Sequence, residues 1–181
     1  FRNTGENQTD YSITFPENAQ CDIIIVGGGG SGGTINGGGG GAGGIIFAKN
    51  VSIPAGTYDI KVGKGGNSVV TDMAEGNDGY SSSFLGAVSL GGGGGGRGEG
   101  EDSSDEPNGR DGGSGGGGGY DEPFRADNYG STIQSTDKTT YGDLYTYTND
   151  TETELNIYGN NGGYGYQNSS ENEYAMGGGG G

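Results

Sequence analysis

The sequence predicts an all-β fold, a short-strand β-sandwich with packed glycine runs and essentially no helix. Short runs of β-branched and aromatic residues alternate with turn-forming residues, at roughly the 8–12-residue spacing of all-β proteins. Glycine supplies 48 of the 181 residues without a collagen-like repeat. No segment has the periodicity of an amphipathic helix. Because the glycine runs alternate with strand-like runs rather than with Ser and Pro, we expect folded structure instead of a flexible linker.

The first strands are indicated by three apolar runs in the N-terminal quarter of the chain. Residues 11–15 alternate apolar and polar side chains and end at Pro16, which is typical of a half-buried strand. Ile23–Val26 is a β-branched run typical of a buried strand, and residues 45–48 form a third strand. Residues 1–15 combine a polar arm with an alternating strand, so we expect this segment to be donated to the sheet of a neighbouring subunit.

Residues 51–63 carry the clearest strand signal in the chain. Apolar residues alternate into a Pro-Ala-Gly turn and alternate out of it again, which predicts a β-hairpin. Val69 and Val70 suggest a short edge strand, and residues 82–90 a second hairpin. A last clear strand is expected at residues 154–158.

The glycine runs are expected to pack against one another. Ordering glycine loses much backbone entropy, and buried peptide groups need hydrogen-bond partners that these runs cannot supply from side chains. A backbone without side chains can approach another backbone closely, as at the collagen axis. We therefore expect extended threefold strands of the polyglycine II type, cross-bonded through their own amides and carbonyls. The longest runs are 27–30, 37–41, 91–96, 115–119 and 177–181.

One glycine run imitates a dinucleotide-binding fingerprint. Gly27-x-Gly29-x-x-Gly32 follows an apolar strand, but that fingerprint requires a helix whose N-terminus holds the pyrophosphate. Glycine returns at 37–41, and each interior glycine costs a helix about 1 kcal/mol relative to alanine. No acidic residue lies about twenty positions further on to bind a ribose. The sequence therefore argues against nucleotide binding.

Composition argues against several classes of function. The net charge of −16 disfavours nucleic acid and anionic membrane surfaces, and no run of about 18 apolar residues exists to insert into a membrane. Histidine is absent, and Cys21, the single cysteine, is interpreted as a buried small hydrophobe without a disulfide. We therefore expect no enzyme activity and no cofactor. The chain starts at Phe1 and stops inside residues 177–181, which we interpret as a processed or partial chain.

Two kinds of weak site stand out among the polar residues. The acidic stretch 98–112 is interpreted as a solvated loop, because it lacks EF-hand spacing, although calcium binds six to eight oxygen ligands in such flexible loops. The candidates for a calcium site are Glu101, Asp102 and Asp105. Four glycosylation sequons are present, where about two or three would arise by chance. The candidate acceptors are Asn7, Asn50, Asn149 and Asn168, with Asn7 and Asn149 favoured by their polar surroundings.

Tyrosine becomes frequent after residue 120. These rings would suit a carbohydrate-stacking surface, a contact with a neighbouring subunit, or cross-strand pairing inside one sheet, and the sequence leaves the three alternatives open. The tyrosines concerned are Tyr141, Tyr145, Tyr147, Tyr158, Tyr164, Tyr166 and Tyr174. The residues that we expect to contribute to assembly are Tyr11, Ile13, Phe15, Tyr145 and Tyr147.

The order of blocks resembles a family of glycine-rich β domains that is common in large algal viruses, phage tail and fibre proteins, and uncultured marine microbes. The blocks are DIIIVGGGG, GGGGGAGGIIF, IPAGTYDIKVGKGG, GYSSSF and LGGGGGG, within residues 11–119, and YAMG at 174–177. The resemblance implies a structural and adhesive role outside the cell or on a virion, without catalysis. The glycine-rich ectodomain of the anaplastic-lymphoma-kinase-type receptors is a more distant likeness, and its disulfides are missing here.

These observations divide the chain into an N-terminal arm at 1–20, a glycine-rich β domain at 21–119, and a Tyr/Thr-rich β region at 120–181. Our hypothesis is a structural subunit of an extracellular filament, fibril or viral fibre that assembles with copies of itself. The alternative is an adhesin domain at a fibre tip, which binds a receptor or cell-surface glycans through residues around 97–111 and 120–150.

Overall fold

The computed structural model describes residues 1–98, 108–120, 128–148, 155–168 and 173–181. Its regular structure is nearly all β, which confirms the predicted fold class. The described ranges contain one 3₁₀ turn, Lys138–Tyr141, and one short helix, α1, Gly142–Tyr147. The strands are β1 (Gln8–Phe15), β2 (Ala19–Val26), β3 (Ile45–Ile53), β4 (Gly56–Gly63), β5 (Ser82–Phe84), β6 (Ala87–Ser89), β7 (Leu155–Tyr158), β8 (Tyr166–Asn168) and β9 (Glu173–Ala175).

Strands β1 to β7 form two antiparallel sheets. The first sheet has the order β1-β4-β5-β6, and the second has the order β2-β3-β7, while β8 and β9 pair separately. The chain passes between the two sheets through short connections at residues 16–18 and at residues 54–55, and again through the long connection from β6 to β7. The side-chain oxygen of Asn18 accepts a hydrogen bond from the Ala55 amide at 3.0 Å, which ties the two short connections together.

The hairpin predicted for residues 51–63 is wrong in its pairing. Both strands form, but β3 pairs with β2 and β7, whereas β4 pairs with β1 and β5. Ile53 lies opposite Ala19 in the second sheet, and Gly56 lies opposite Phe15 in the first. The Pro-Ala-Gly sequence therefore makes a corner between two sheets, because the fixed negative φ of proline does not fit the positive φ that a two-residue hairpin turn needs at its first central position.

The hairpin predicted for residues 82–90 is confirmed. β5 and β6 pair antiparallel, with Ser83 opposite Val88. Their turn places Leu85 and Gly86 at φ values of 50° and 75°, the left-handed pair that a two-residue hairpin turn requires. The edge strand expected at Val69–Val70 is not formed.

The inner faces of the two sheets meet in one apolar core. β3 is the central strand of the second sheet and contributes more buried residues than any other strand, as expected for a strand with a neighbour on both sides. Three core residues lie outside the strands, namely Leu85 in the β5–β6 turn, Tyr141 in the 3₁₀ turn and Leu144 in α1. The buried core residues are Ile25, Ile46, Ala48, Val51, Ile53, Leu85, Ala87, Tyr141, Leu144 and Leu155.

The short helix α1 is the exception in a fold for which the sequence predicts essentially no helix. Its six residues are too few to be stable in isolation, so tertiary contacts must fix it. Leu144 is completely buried, and its amide donates a hydrogen bond to the Leu85 carbonyl at 2.9 Å. Gly86 and Gly142 face each other across this contact with backbone atoms close together and with left-handed φ values. The contacts of α1 with the β5–β6 turn therefore stabilise the helical conformation of residues 142–147.

We expect Leu144→Ala to lower the free energy of unfolding by about 2–5 kcal/mol, because it removes a fully buried leucine and leaves a cavity. Thr146→Ala, on the exposed face of the same helix, is the matched control and should change stability by less than about 0.5 kcal/mol. Chemical denaturation measures both. Equal effects of the two substitutions would show that α1 is not docked as described.

Candidate functional site in the glycine bundle

Glycine-rich segments continue from the ends of the strands and lie side by side. We call them the glycine bundle. They lie outside the named strands and helices, and backbone hydrogen bonds of 2.7–3.1 Å join them. The segments of the bundle are 27–34, 36–44, 64–66, 74–80, 90–98, 108–113, 114–120, 128–133, 159–165 and 176–181.

The longer segments of the bundle bond to a given neighbour once every three residues. Segment 27–34 shows the pattern on three sides, toward 36–44, 74–80 and 90–98. Its amides at 27, 30 and 33 donate to the carbonyls of Gly44, Gly41 and Gly38. Its amides at 28, 31 and 34 donate to the carbonyls of Tyr80, Asn77 and Ala74, and its carbonyls at 28, 31 and 34 accept from the amides of Gly92, Gly95 and Gly98.

The registers within the bundle continue the registers of the sheets. The β2–β3 ladder ends where Val26 lies opposite Ile45, and the following bond joins Gly27 to Gly44 without a shift. The β5–β6 ladder continues in the same way into the bonds between 74–80 and 90–98. Only the spacing changes, from the two-residue period of a strand to a three-residue period. The strands therefore determine which glycines meet.

Segment 114–120 lies at the centre of the bundle. Residues 112–119 are all buried, although they carry almost no side-chain atoms. Six other segments surround this one, and each exchanges at least one backbone hydrogen bond with it. The surrounding segments are 36–44, 90–98, 108–113, 128–133, 159–165 and 176–181. A β-strand can bond to two neighbours only, so this arrangement is not a sheet.

Close approach of backbones explains why these positions are glycine. A Cβ added at Gly30 would overlap the carbonyl of Gly93, and one added at Gly94 would overlap the carbonyl of Gly76. The same holds for most of the described bundle. A need for left-handed backbone is not the reason, because few described glycines have φ in that region. Those that do are Gly5, Gly43, Gly86 and Gly142.

Residues other than glycine occupy the bundle only where their side chains have room or a partner. Ala42 is exposed. The Ser31 hydroxyl accepts a hydrogen bond from the Asn77 amide at 2.9 Å, and the buried Ser114 hydroxyl donates to the Gly43 carbonyl at 2.9 Å. The serines thus replace bonds that a peptide group would otherwise make.

Two buried carboxamides take the place of peptide groups at the margins of the bundle. Asn128 is completely buried, and it donates to the Gly119 carbonyl and accepts from the Gly165 amide, both at 3.0 Å. Gln134 accepts from the Leu90 amide at 2.8 Å and donates to the Val88 carbonyl at 3.1 Å. Sequence reasoning missed both, because nothing distinguishes them from the many other amide side chains.

Gln134 also links the bundle to the helix. Its Nε2 donates to the Tyr141 hydroxyl at 2.8 Å, and that hydroxyl donates in turn to the Ser135 carbonyl. Burial raises the pKa of the Tyr141 phenol above its ordinary value. Tyr141 therefore acts as a neutral, buried hydrogen-bonding group at neutral pH.

The calcium candidates Glu101, Asp102 and Asp105 lie outside the described residues. Within the described ranges, no group of three or more His, Cys, Asp or Glu side chains is placed to hold a metal ion. Among the sequons, Asn149 also lies outside the described residues, and Asn168 ends β8.

The two remaining sequons are exposed. Asn7 precedes β1, and Asn50 lies at an irregularity in the β2–β3 ladder with φ of 53°, a conformation that asparagine tolerates. The backbone amide of Asn50 donates a hydrogen bond to the Asp22 carboxylate at 3.0 Å. Asn50 thus has a structural reason to be asparagine.

The predicted assembly residues fall into two groups. Tyr11, Ile13 and Phe15 share the half-buried face of β1. Tyr145 and Tyr147 lie on α1, half-buried against the core, rather than on a strand. The other tyrosines differ among themselves, since Tyr141 is buried while Tyr158 and Tyr164 are 53% and 54% exposed. The tyrosines therefore do not form one common surface.

Three further predictions concern Cys21, the segment after Gly32 and membrane-spanning helices. Cys21 is free and packs against the core, but it is half-buried rather than buried as the sequence predicted. No helix begins after Gly32, where a dinucleotide site would need one. Among the described helices, none is long and apolar enough to cross a membrane.

Comparison with known proteins adds a family match. A family model described as a glycine-rich domain matches residues 5–181, a range that includes all nine described strands and every segment of the bundle. No curated protein and no solved structure matches the chain. The resemblance inferred from the glycine blocks is thus confirmed at the level of a glycine-rich domain.

Adjacent glycines should respond in opposite directions to alanine. Gly30→Ala places a Cβ on the Gly93 carbonyl and should destabilise the fold by about 1–3 kcal/mol or more. Gly29→Ala is the matched control, because its Cβ would lie 3.5 Å from the nearest atom, the Gly41 carbonyl oxygen. It should stabilise by about 0.4–1 kcal/mol through the unfolded state. Denaturant midpoints measure both, and indistinguishable midpoints would contradict the close-approach explanation.

Proposed function

We propose that this chain, which belongs to the family of glycine-rich domains, is a structural subunit of an extracellular filament, fibril or viral fibre. Its partners are copies of itself, and it works outside the cell or on the surface of a virion or cell. The role requires neither a catalytic group nor a cofactor. The net charge of −16 disfavours nucleic acid as a partner.

The observation that carries the proposal is the three-residue bonding period of the glycine bundle. A backbone with three residues per turn and no internal hydrogen bonds is that of polyproline II, and its glycine form would bond to neighbours on all sides. We infer that the bundle is polyglycine II. Segment 114–120, with six neighbours, supports this inference most directly. Hydrogen bonds to neighbours on all sides make the module rigid, and a structural subunit of a filament needs that rigidity.

Two kinds of surface would allow copies to associate. The strands β1 and β2 lie at the edges of the two sheets, and an exposed edge templates pairing with another chain. On the bundle, an added Cβ at Gly178 would meet nothing within 4 Å, so the backbone of a second copy has room to approach there. We propose that strand edges and glycine layers both contribute to assembly.

An adhesin at a fibre tip is the second candidate. The end of the bundle that is formed by residues 34–36, 98 and 120 favours it. The Thr34 carbonyl accepts a hydrogen bond from the Gly98 amide at 3.1 Å. The Asn36 carbonyl accepts one from the Tyr120 amide at 3.0 Å. Ile35, between them, is 46% exposed at φ of 48°, a strained conformation for a β-branched residue. Strain of this kind concentrates at functional sites.

The structural proposal predicts that purified protein assembles into polymers, and that assembly increases with ionic strength, because salt screens the repulsion between chains of charge −16. Negative-stain electron microscopy and light scattering between about 20 and 500 mM NaCl, spanning Debye lengths from roughly 20 to 4 Å, measure this. Monodisperse protein at every salt concentration would refute the filament.

A glycan array probed with monomeric protein distinguishes the adhesin. Under the adhesin alternative, monomer binds glycan, and Ile35→Asn abolishes binding without lowering the unfolding midpoint, because asparagine suits a positive φ. Val70→Asn, at a side chain that is 92% exposed, is the control and should bind as the wild type does. A monomer that binds no glycan while the protein still forms polymers decides for the filament.

A further inference from the structure

We propose that strand β1 is exchanged between copies, so that β1 of each chain pairs with β4 of the next copy in the register seen within one chain. The inference rests on the proposed filament and names its donor, its acceptor and its hinge. The donor is Gln8–Phe15, the acceptor is the edge of Gly56–Gly63, and the hinge is residues 16–18.

The position of β1 makes it the most readily detached long strand. It lies at the edge of the first sheet and pairs with β4 alone. None of its eight residues is buried; exposed residues alternate with half-buried ones along its whole length. In the second sheet, β2, which is as long as β1, contributes the buried Ile25 to the core, and the nine-residue β3 contributes four buried residues, whereas β1 contributes none. Local opening that releases β1 therefore exposes little apolar surface that is now fully covered.

The space beneath β1 is incompletely filled. A cavity of about 530 Å³ lies open between the two sheets. Ile13 and Phe15 line it from β1, and Ile23 and Ile25 line it from β2. Side chains that border a gap forgo the packing contacts that a filled core would provide. The apolar face of β1 is thus weakly held in the single chain.

The hinge favours exchange over simple fraying. Residues 16–18 turn the chain from the first sheet into the second and span at most about 11 Å when extended. Pro16 fixes its own φ and biases Phe15 toward extended backbone. A hinge of only three residues between two sheets favours exchange of the strand before it, because opening the hinge converts β1 and β2 into one extended segment that presents β1 to another copy.

The chemistry of the β4 edge identifies the occupant as β1 of a second copy. The Lys61 ammonium donates to the Asp10 carboxylate at 2.9 Å, and the Thr14 and Thr57 hydroxyls are 2.8 Å apart. The Phe15 ring meets the Tyr58 ring edge-on, with centroids 6.0 Å apart. An exchanged β1 reproduces every one of these contacts, which is why swapping an identical element is a low-cost route to assembly.

The direction of exchange decides between a filament and a closed pair. A chain that gives β1 to one copy and receives it from another forms an open, head-to-tail contact, which propagates without limit. Two chains that give β1 to each other close into a dimer. We infer the open arrangement, because closed pairs could extend into a filament only through the glycine layers.

A disulfide between β1 and β4 tests the exchange. Thr14→Cys with Thr57→Cys, in a Cys21→Ala background, places two thiols at directly opposed positions. Oxidised as a monomer, this variant is locked and should lose assembly, whereas reduction with dithiothreitol should restore it. Oxidised after assembly, it should give a ladder of covalent multimers on a non-reducing gel. The ladder arises because each disulfide then joins two copies.

The matched control locks a different strand pair. Ser83→Cys with Val88→Cys joins β5 to β6, which stay together in the proposed exchange, so its oxidised monomer should assemble at the wild-type rate and give no ladder. Circular dichroism of each oxidised monomer reports whether it is folded. Recovery of assembly on reduction shows that the locked chain was competent.

The outcomes separate the inference from the proposed function. If the oxidised Thr14→Cys, Thr57→Cys monomer assembles as fast as the reduced one, or if its polymers yield no ladder, strand exchange is overturned and the filament stands. A ladder that ends at the dimer supports exchange but overturns its open, head-to-tail arrangement. Wild-type protein that never assembles overturns the filament itself.

Discussion

The whole structure depends on backbone hydrogen bonds between chain segments that have no side chains. A buried peptide group without a partner costs free energy comparable to a lost hydrogen bond, and the bundle buries many such groups in succession. Burial of apolar side chains cannot offset that loss, because segments such as 114–120 have almost none. The three-residue period resolves the conflict by pointing successive amides and carbonyls toward different neighbours. Cross-bonding of this kind holds together a region that composition alone would assign to disorder.

The β-sandwich and the bundle depend on each other through shared registers. The β2–β3 pair continues into segments 27–34 and 36–44, and the β5–β6 pair continues into 74–80 and 90–98. Glycine offers no side chain with which to encode an alignment, and a register slip within a glycine run would leave similar contacts. Apolar side chains on the strands do encode alignment, since a one-residue slip moves them to the wrong face. The sandwich thus sets the register that the bundle propagates.

Because the strands set the register and the glycine segments only continue it, the fold could be predicted from the sequence in part. The β-branched runs at 23–26 and 45–48 carry an explicit strand signal, and the glycine blocks imply backbone-to-backbone packing. The partner of each strand is not local information, so residues 51–63 resemble a hairpin while their two strands join different sheets. The helix α1 was missed because its docking against the Leu85 carbonyl, and not its own propensity, forms it. The buried amides of Asn128 and Gln134 have no sequence signature at all.

The glycine bundle and the strand β1 differ in how firmly their contacts hold them. A bundle segment with six bonded neighbours cannot leave without breaking contacts on every side, so the bundle is the rigid part of the molecule. The strand β1 has one neighbour, no fully buried residue and a cavity beneath it. A stiff interior joined to a loosely held edge strand is what a repeating assembly requires, because the module must keep its shape while its connection forms. In the proposed assembly, the glycine bundle would keep the module rigid through close backbone contacts, and β1 would connect the copies because few contacts hold it.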